Sequence, residues 1–537
     1  MSTLRGSAEP QWSRQASPSA TIARNVASRY LVIGIDALIG LVVLPFNVHH
    51  LGQAAWGLWM LTTSISAYFT VIDLGYGGAI TRFVAKYRAR QEPQGINEIT
   101  STLFVVFVGL GAAAYGLFVL AAFNVQDLIN VSPEQIGTAR ILLLIAGIQV
   151  AVGLPFGVFG GVVNGFQRYD VNNLVSIATS IAVAAVNVAL LLLGYGLVSV
   201  VLATTSVRIA SNFVYRRNAY RVFPLLSVRP SLFRKSRLQE VSGFSVYSAV
   251  MDWSNRLNFA TDMIIIGAFL SPTAVALWAV PRRLADLTRS LTNQFNSVLL
   301  PVVVESDVRN QTDRLRDLLI HGTRLSLFLV VPVAMGLFLM AGPLIGRWVG
   351  PSFADSVPIA QILALVVIVR VGIAPASVVL NGAGRHRLLA CASAGIALTN
   401  LALSLWWIRR YGLPGQALAT LIPLTLVTVF LVFPAACRRA DVRVSQAFRQ
   451  AVWPVIWPLP VMIAVVIALR AALPMTVPTI LFSAACGAIC YAAVFATFAI
   501  APLERARYRD QLFAATRWRR PAQPVAAPAP HCPTEVI

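Results

Sequence analysis

Charged side chains are scarce in this chain. Asp, Glu, Lys and Arg make up 12% of its 537 residues, about half the share of an ordinary soluble protein, which excludes that class. Acids are scarcer than bases, 21 Asp and Glu against 43 Lys and Arg, for a net charge of +22. Cysteine is limited to Cys391, Cys437, Cys486, Cys490 and Cys532, and their spacing fits neither a metal cluster nor a redox pair. Cys486 and Cys490 share a helical face and are expected as packing residues. No disulfide framework, metal or other cofactor is expected. Period-two alternation is missing, which argues against a barrel. The first 20 residues are polar and carry no apolar core of a cleaved signal. The end from Arg517, with PAQPVAAPAP, is expected as a disordered tail.

What the chain has instead is apolar surface, 57% of its residues. Apolar runs of about 20 residues recur along nearly its whole length, the pattern of an all-α polytopic membrane protein. Fourteen transmembrane spans are expected, at 27–47, 56–78, 101–123, 139–163, 173–193, 197–217, 243–270, 274–300, 318–343, 357–380, 388–408, 414–436, 452–472 and 477–501. Their connections alternate. HHLGQAA, GYG, LSPT and the stretch around LPMTVP are short and nearly uncharged, whereas the others carry clustered Arg and Lys. By the positive-inside rule the basic connections and both termini belong in the cytoplasm, which also absorbs much of the net charge. Arg409 and Arg410 run against this pattern.

The sequence repeats itself at a period a little under 220 residues. LGQAAWGLWML (51–61) aligns with LSPTAVALWAV (270–280), VVNGFQR (162–168) with VLNGAGR (379–385), and YGL at 195–197 with YGL at 411–413. Six spans separate the copies, so both have the same orientation, as in two-lobed transporters with a central cavity. The expected organisation is a cytoplasmic N-terminal tail (1–26), an N-lobe of spans 1–6 (27–217), a basic inter-lobe loop (218–242), a C-lobe of spans 7–12 (243–436), spans 13–14 (452–501) and a cytoplasmic C-terminal tail (502–537).

Some ionisable residues lie inside spans, where charge is costly and faces a cavity or a partner. At about 1.5 Å per residue, Asp36, Arg256, Asp286 and Arg370 all fall roughly 20 Å from the outer end of their spans. Arg282, Asp286 and Arg289 form one stripe of span 8, with Pro281 expected to kink or open the helix before them. Span 7 carries Asp252 and Arg256 one turn apart, with Asn255, Asn258 and Asp262 on one face. Span 1 carries Arg29 and Asp36, and span 2 lines up Thr62, Ser66, Thr70 and Asp73. Two readings stay open: ion pairs that knit helices together, or a polar cavity between the lobes. The surplus of arginine on span 8 suits an anionic cargo such as phosphate or pyrophosphate. Beyond Asp73, at the cytoplasmic mouth, Arg82, Lys86 and Arg90 form a basic face that suits anionic phospholipids and equally suits simple anchoring.

DLGYGGAITRFVAKY at the end of span 2, NGFQRYDVNN after span 4 and TDMIIIGAFLSPTAVALWAV across spans 7 and 8 resemble the polysaccharide-exporter branch of the multidrug/oligosaccharidyl-lipid/polysaccharide flippase superfamily, its Wzx-type members, over roughly residues 20–500. The resemblance implies a transporter of a bacterial inner membrane rather than an enzyme. Its cargo would be an undecaprenyl-pyrophosphate-linked oligosaccharide for O-antigen and lipopolysaccharide, capsule or exopolysaccharide, moved to the periplasmic leaflet by alternating access. A polysaccharide polymerase and a chain-length regulator are the implied partners of a monomer, with no nucleic acid. Asp73 and Asp262 match family-motif positions. The expected substrate-binding residues are Arg29, Arg256, Arg282, Arg289 and Arg370, and the expected coupling or gating residues Asp36, Asp73, Asp262 and Asp286. The alternatives within the superfamily are a multidrug or cation antiporter, whose cavity should favour carboxylates, and a peptidoglycan lipid II flippase. A membrane glycosyltransferase or polymerase would need a larger outer loop or an acidic motif.

Overall fold

The computed structural model describes residues 18–69, 76–241 and 261–499, without the side chains of 18–23, 76–77, 291–298 and 499. The long helices are α1 (Pro18–Phe69), α2 (Tyr76–Ala89), α3 (Pro93–Phe123), α4 (Pro133–Gly165), α5 (Tyr169–Leu192) and α6 (Leu197–Val222) in the first half. The second half holds α7 (261–269), α8 (Pro272–Val308), α9 (Thr312–Trp348), α10 (Ser356–Gly372), α11 (Ala374–Gly382) and α12 (His386–Val427), followed by α13 (Leu459–Ala472) and α14 (Val477–Val494). Shorter turns are left unlabelled.

Ten helices among the described residues are long and apolar enough to cross a membrane, against the fourteen spans expected. Two of the ten, Arg24–Phe69 and His386–Arg439, are 46 and 54 residues long. Each bends at one glycine outside helical geometry, Gly52 (φ 76°) and Gly412 (φ 60°), where the left-handed backbone suits a residue without Cβ. Spans 1 and 2, and spans 11 and 12, are therefore pairs of helices joined at a single non-helical glycine rather than through a longer loop. α8 is not among the ten, and most of span 7 lies outside the described residues.

Two pseudo-symmetric lobes result. α3 packs on α4, α4 on α6 and α1 on α5 in the first; α9 packs on α8 and α10, and α10 on α12, in the second. The same chain-reversal geometry recurs in both. Gln91 and Asn310, Gln167 and Gly384, and Gly194 and Gly412 all have positive φ, the members of each pair 217–219 positions apart. The helix ends at 91 and 310 close alike, with Glu92 N on Tyr87 O (2.9 Å) and Gln311 N on Ser306 O (2.9 Å). A Cβ on Gly165 would stand 2.5 Å from Val84 Cγ1, and one on Gly382 2.5 Å from Val303 Cγ1. These glycines belong to the aligned Asn-Gly pairs, which places the sequence repeat in helix packing.

The lobes meet toward the end with short uncharged connections, termed here the neutral end. There Leu58 and Leu61 of α1 share a buried cluster with Ile266, Val275 and Trp278 of the second lobe. Gln53 Nε2 donates to Ser352 O (2.8 Å) and Asn130 Nδ2 to Leu270 O (2.6 Å). A Cβ on Gly57 would lie 1.7 Å from Pro272 O, so the two backbones touch. At the basic end the apolar clusters separate, one around Ile80, Val84 and Phe223, the other around Val303, Leu319 and Phe433. Polar contacts within each lobe hold this end, such as Asn25 Nδ2 to Gln167 O (3.0 Å) and Arg439 to Asp307.

α8 runs through Pro281 without a break, which corrects the expected opening of that helix. Proline has no N–H for the carbonyl four residues back, Leu277 O. The buried Ser356 hydroxyl of α10 supplies the bond instead, at 2.7 Å. The same substitution occurs twice more: Trp348 Nε1 donates to Leu41 O (2.8 Å), left by Pro45, and Arg470 Nη1 to Leu339 O (3.3 Å), left by Pro343. In an apolar medium such outside donors are what allow proline within a spanning helix. Ser356→Ala is expected to cost about 1–3 kcal/mol, the penalty of a buried orphan carbonyl. Thermal unfolding of detergent-solubilised protein measures it, and adding Pro281→Ala, which restores an N–H, should recover most of the loss.

Candidate functional site

Three helices build a buried ionic chain beside the lobe interface. Asp262, at the start of α7, is fully buried. Its Oδ1 accepts from Gln416 Nε2 of α12 (2.8 Å) and its Oδ2 from Arg282 Nη1 of α8 (3.4 Å). Gln416 Nε2 also donates to Ser404 Oγ (2.9 Å), so the site takes residues from both sides of the Gly412 bend. Arg282 Nε reaches Asp286 Oδ2 at 3.0 Å, and Arg289 Nη2 reaches Asp286 Oδ1 at 3.4 Å. The i, i+4, i+7 spacing on α8 thus becomes a continuous ladder of alternating charge, Asp262–Arg282–Asp286–Arg289.

Arg370 of α10 is within electrostatic reach of all four. Arg289 and Arg370 together line a cavity of about 280 Å³ whose wall also carries Ser377, Ser393 and Thr428. Among the described residues, three arginines and two aspartates gather here. Charge in a membrane interior is costly and marks a functional site. A guanidinium pair at a polar cavity binds a phosphoryl or carboxylate oxygen readily.

α1 of the first lobe borders this cluster. Tyr68 Oη hydrogen-bonds Thr261 Oγ1, next to Asp262, and Ser64 Oγ contacts Met263 Sδ at 3.0 Å. Higher on α1, Arg283 Nη2 donates to the backbone oxygen of Asp36 (2.7 Å). That guanidinium lies over Gly40, where a Cβ would come within 2.0 Å of Nη2. Asp36 contributes its carbonyl to this inter-lobe bond, and its carboxylate acts on Arg208 of α6.

Arg208 was not anticipated from the sequence. It lines a cavity of about 600 Å³ within the first lobe, with Ser66, Gln149, Ser176, Thr179 and Tyr215. Its signal was present: eleven residues from the start of span 6 place it about 17 Å along the span. Gln416, Ser404 and Ser356 are neutral and left no comparable mark.

Of the expected site residues, Arg282, Arg289, Arg370, Asp262 and Asp286 come together. Asp36 sits apart, on the α1 side. Arg29 is exposed on α1. Arg256 and Asp73 lie outside the described residues, as do Asp252, Asn255, Asn258 and Thr70. The hydroxyls of Thr62 and Ser66 donate to Leu58 O and Thr62 O of their own helix, both at 2.9 Å. Lys86, expected on a basic face that suits lipid headgroups or simple anchoring, pairs with Glu240 at 2.6 Å. Around that pair, burial and the Glu240 hydrogen bond push the Tyr87 hydroxyl up to about 12.

Known proteins fit this architecture. The family model described as "Polysaccharide biosynthesis protein" matches residues 54–358, more than half of the chain. "Uncharacterized membrane protein EpsK" of Bacillus subtilis (strain 168) is 22% identical over 407 residues, 75% of this chain and 80% of that protein. "Probable flippase AglR" of Haloferax volcanii is 22% identical over 420 residues, 77% of this chain and 83% of that protein. Among solved structures, "Lipid II flippase MurJ, inward closed conformation" superposes with a TM-score of 0.68 at 16% identity, covering 92% of this chain and 100% of that one. Two pseudo-symmetric helical lobes, a charged ladder where they meet and a family match across both halves lead to one assignment: the chain is a membrane transporter of the polysaccharide biosynthesis protein family, in the polysaccharide flippase branch of the multidrug/oligosaccharidyl-lipid/polysaccharide superfamily.

Proposed function

We propose that the protein is a flippase for an undecaprenyl-pyrophosphate-linked oligosaccharide, moving it from the cytoplasmic to the periplasmic leaflet of a bacterial inner membrane. The observation that carries this reading is that Arg289, at the end of the Asp262–Arg289 ladder, lines one polar cavity together with Arg370. Paired guanidinium forks recognise a diphosphate. An arginine-lined cavity argues against one made for cationic drugs, which would favour carboxylates. A relative named as a probable flippase points the same way.

In this reading the basic end and both termini are cytoplasmic. The lobes, joined at the neutral end and separate at the basic end, take up cargo from the cytoplasmic side. Opening the other way requires the Gln53–Ser352 and Asn130–Leu270 bonds to part. Arg282, Arg289 and Arg370 hold the diphosphate, and Arg256 and Arg29 are assigned to substrate binding with them. Asp262 and Asp286 keep the arginines in register, while Asp36 and Asp73 serve gating or coupling. Spans 1–6 and 7–12 act as the moving lobes, with 13–14 beside them, in a monomer that hands its cargo to a polymerase and a chain-length regulator.

The test is reconstitution into vesicles holding a fluorescent undecaprenyl-pyrophosphate oligosaccharide, with leaflet exposure read by quenching. Protein-dependent exchange of that lipid, and none of an otherwise identical neutral lipid glycan, is the expected result. Equal movement of both lipids would remove the assigned role of the arginines.

A further inference from the structure

A second cationic cavity lies at the basic end of the second lobe, away from the ladder. It measures about 830 Å³ and sits between the first turns of α9 and the segment 443–454 that leads to α13. Arg316, Arg324, Arg443 and Arg449 line it, with His321 and Gln450 beside them. One acid, Asp317, is on its wall.

The pseudo-symmetric copy shows what normally occupies this place. At the offset that relates Gln91 to Asn310, the first turns of α3 correspond to those of α9. In the first lobe the chain after α6 folds directly onto α3. Asn97 Nδ2 donates to Leu225 O (3.0 Å), and Asn97 Oδ1, Ser101 Oγ and Thr102 Oγ1 accept from the backbone of Ser227, Arg229 and Arg234. Its arginine is matched by acids, Arg237 reaching Glu98 at 3.0 Å and Glu240 at 3.4 Å. In the second lobe Arg316 stands where Asn97 stands; the following segment packs on α9 through Ala447 and Ala451, against Leu315 and Leu319, and the cavity lies beside that contact. The second copy keeps an acid at the position of Glu98, Asp317, and pairs Arg316 with Asp313 (3.8 Å) and Asp441 (4.0 Å), but sets Arg324, Arg443 and Arg449 around the cavity.

These arginines are not merely the solvated cations that the positive-inside rule puts at such an end. Arg324 is 7% exposed, and its Nη2 lies 2.9 Å from His321 Nδ1. Arg316 Nη2 is anchored on Asp441 O at 2.5 Å. The wall 443–454 contains a π-helical turn, Phe448–Val452, a local distortion often found where a helix serves a binding site. The same segment exposes Val444, Phe448 and Trp453. An apolar and aromatic outer surface of this kind belongs at the headgroup boundary of a bilayer, which sets the cavity at headgroup depth.

The geometry points to a phosphate-binding site in this cavity, held by Arg316, Arg324, Arg443 and Arg449, for the headgroup of an anionic lipid in the leaflet at the basic end. It is separate from the transport ladder and does not depend on the cargo assigned to it. The phosphate group is the recognised chemistry, whether a lipid or a soluble diphosphate presents it.

Full-length protein in phosphatidylcholine nanodiscs, titrated with fluorescent phosphatidylglycerol, tests this. Arg443 and Arg449 are exposed, so R443Q/R449Q spares the core; R324Q probes the buried member. The double variant is expected to bind phosphatidylglycerol about tenfold more weakly than the wild type, from two lost charge contacts at the membrane surface. R217Q, an exposed arginine at the same end outside the cavity, serves as the control and should bind as the wild type does. Competition by inorganic pyrophosphate in the wild type would show that the phosphate alone suffices; variant-sensitive binding without competition would show that the lipid is needed. Wild-type affinity of R443Q/R449Q for both probes would overturn the proposal.

Discussion

Arg289→Ala is expected to lower transport by about 10- to 100-fold while leaving the protein folded and inserted. One charged hydrogen bond to cargo is worth about 1.5–3 kcal/mol, which converts to that range. The fold should tolerate the change because Asp286 keeps Arg282 at 3.0 Å, so no buried carboxylate is stranded. Arg289 is also about one-third exposed, toward the cavity it shares with Arg370. Surface polysaccharide in a complemented deletion strain, together with the vesicle assay, measures the loss. Arg289→Lys keeps the charge but loses the forked donor, and should recover only part of the activity. Full export by Arg289→Ala would leave the ladder as a purely structural device.

Asp262→Ala is expected to act in the opposite way, through stability. Asp262 is fully buried and joins α7, α8 and α12 through Arg282 and Gln416. Removing one member of a buried pair costs about 3–5 kcal/mol, because the other charge stays where water cannot reach it. Arg282 retains Asp286, which puts the expected loss at about 3 kcal/mol. Replacing the pair together, Asp262→Leu with Arg282→Met, should restore most of the stability, since a well-packed apolar pair can match a buried ionic one. Transport should stay impaired in the double variant. Thermal unfolding followed by size-exclusion fluorescence separates the two effects. A double variant no more stable than Asp262→Ala would show that the pair is not the unit of stability.

The ladder has a part that faces the cavity and a part that holds helices in register. Both readings left open by the sequence, ion pairs or cavity, thus apply to different rungs. Asp262 and Arg282 knit the helices, whereas Arg289 and Arg370 line the cavity.

How far this was legible depends on the distance over which the information acts. The stripe Arg282–Asp286–Arg289 could be read directly, because helical periodicity alone puts residues four and three apart on one face. Its partner across the bundle could not. Gln416 lies 154 positions from Asp262, and a neutral side chain in an apolar run carries no cost that would mark it. Pro281 illustrates the same limit. The missing N–H is a local fact, but whether the helix opens depends on Ser356, 75 positions on, reaching Leu277 O.

The sequence by itself determined that the chain is a two-fold repeated bundle of membrane helices, because hydropathy and the recurrence of Asn-Gly pairs are local or periodic properties. It also determined which charges would be too costly to leave without a role. Only the tertiary structure decided which of them pair, which line a cavity, and that the two lobes differ at their basic ends. The physical reason is that the free energy of a charge in a low-dielectric interior depends on neighbours a few ångströms away, which chain order does not specify.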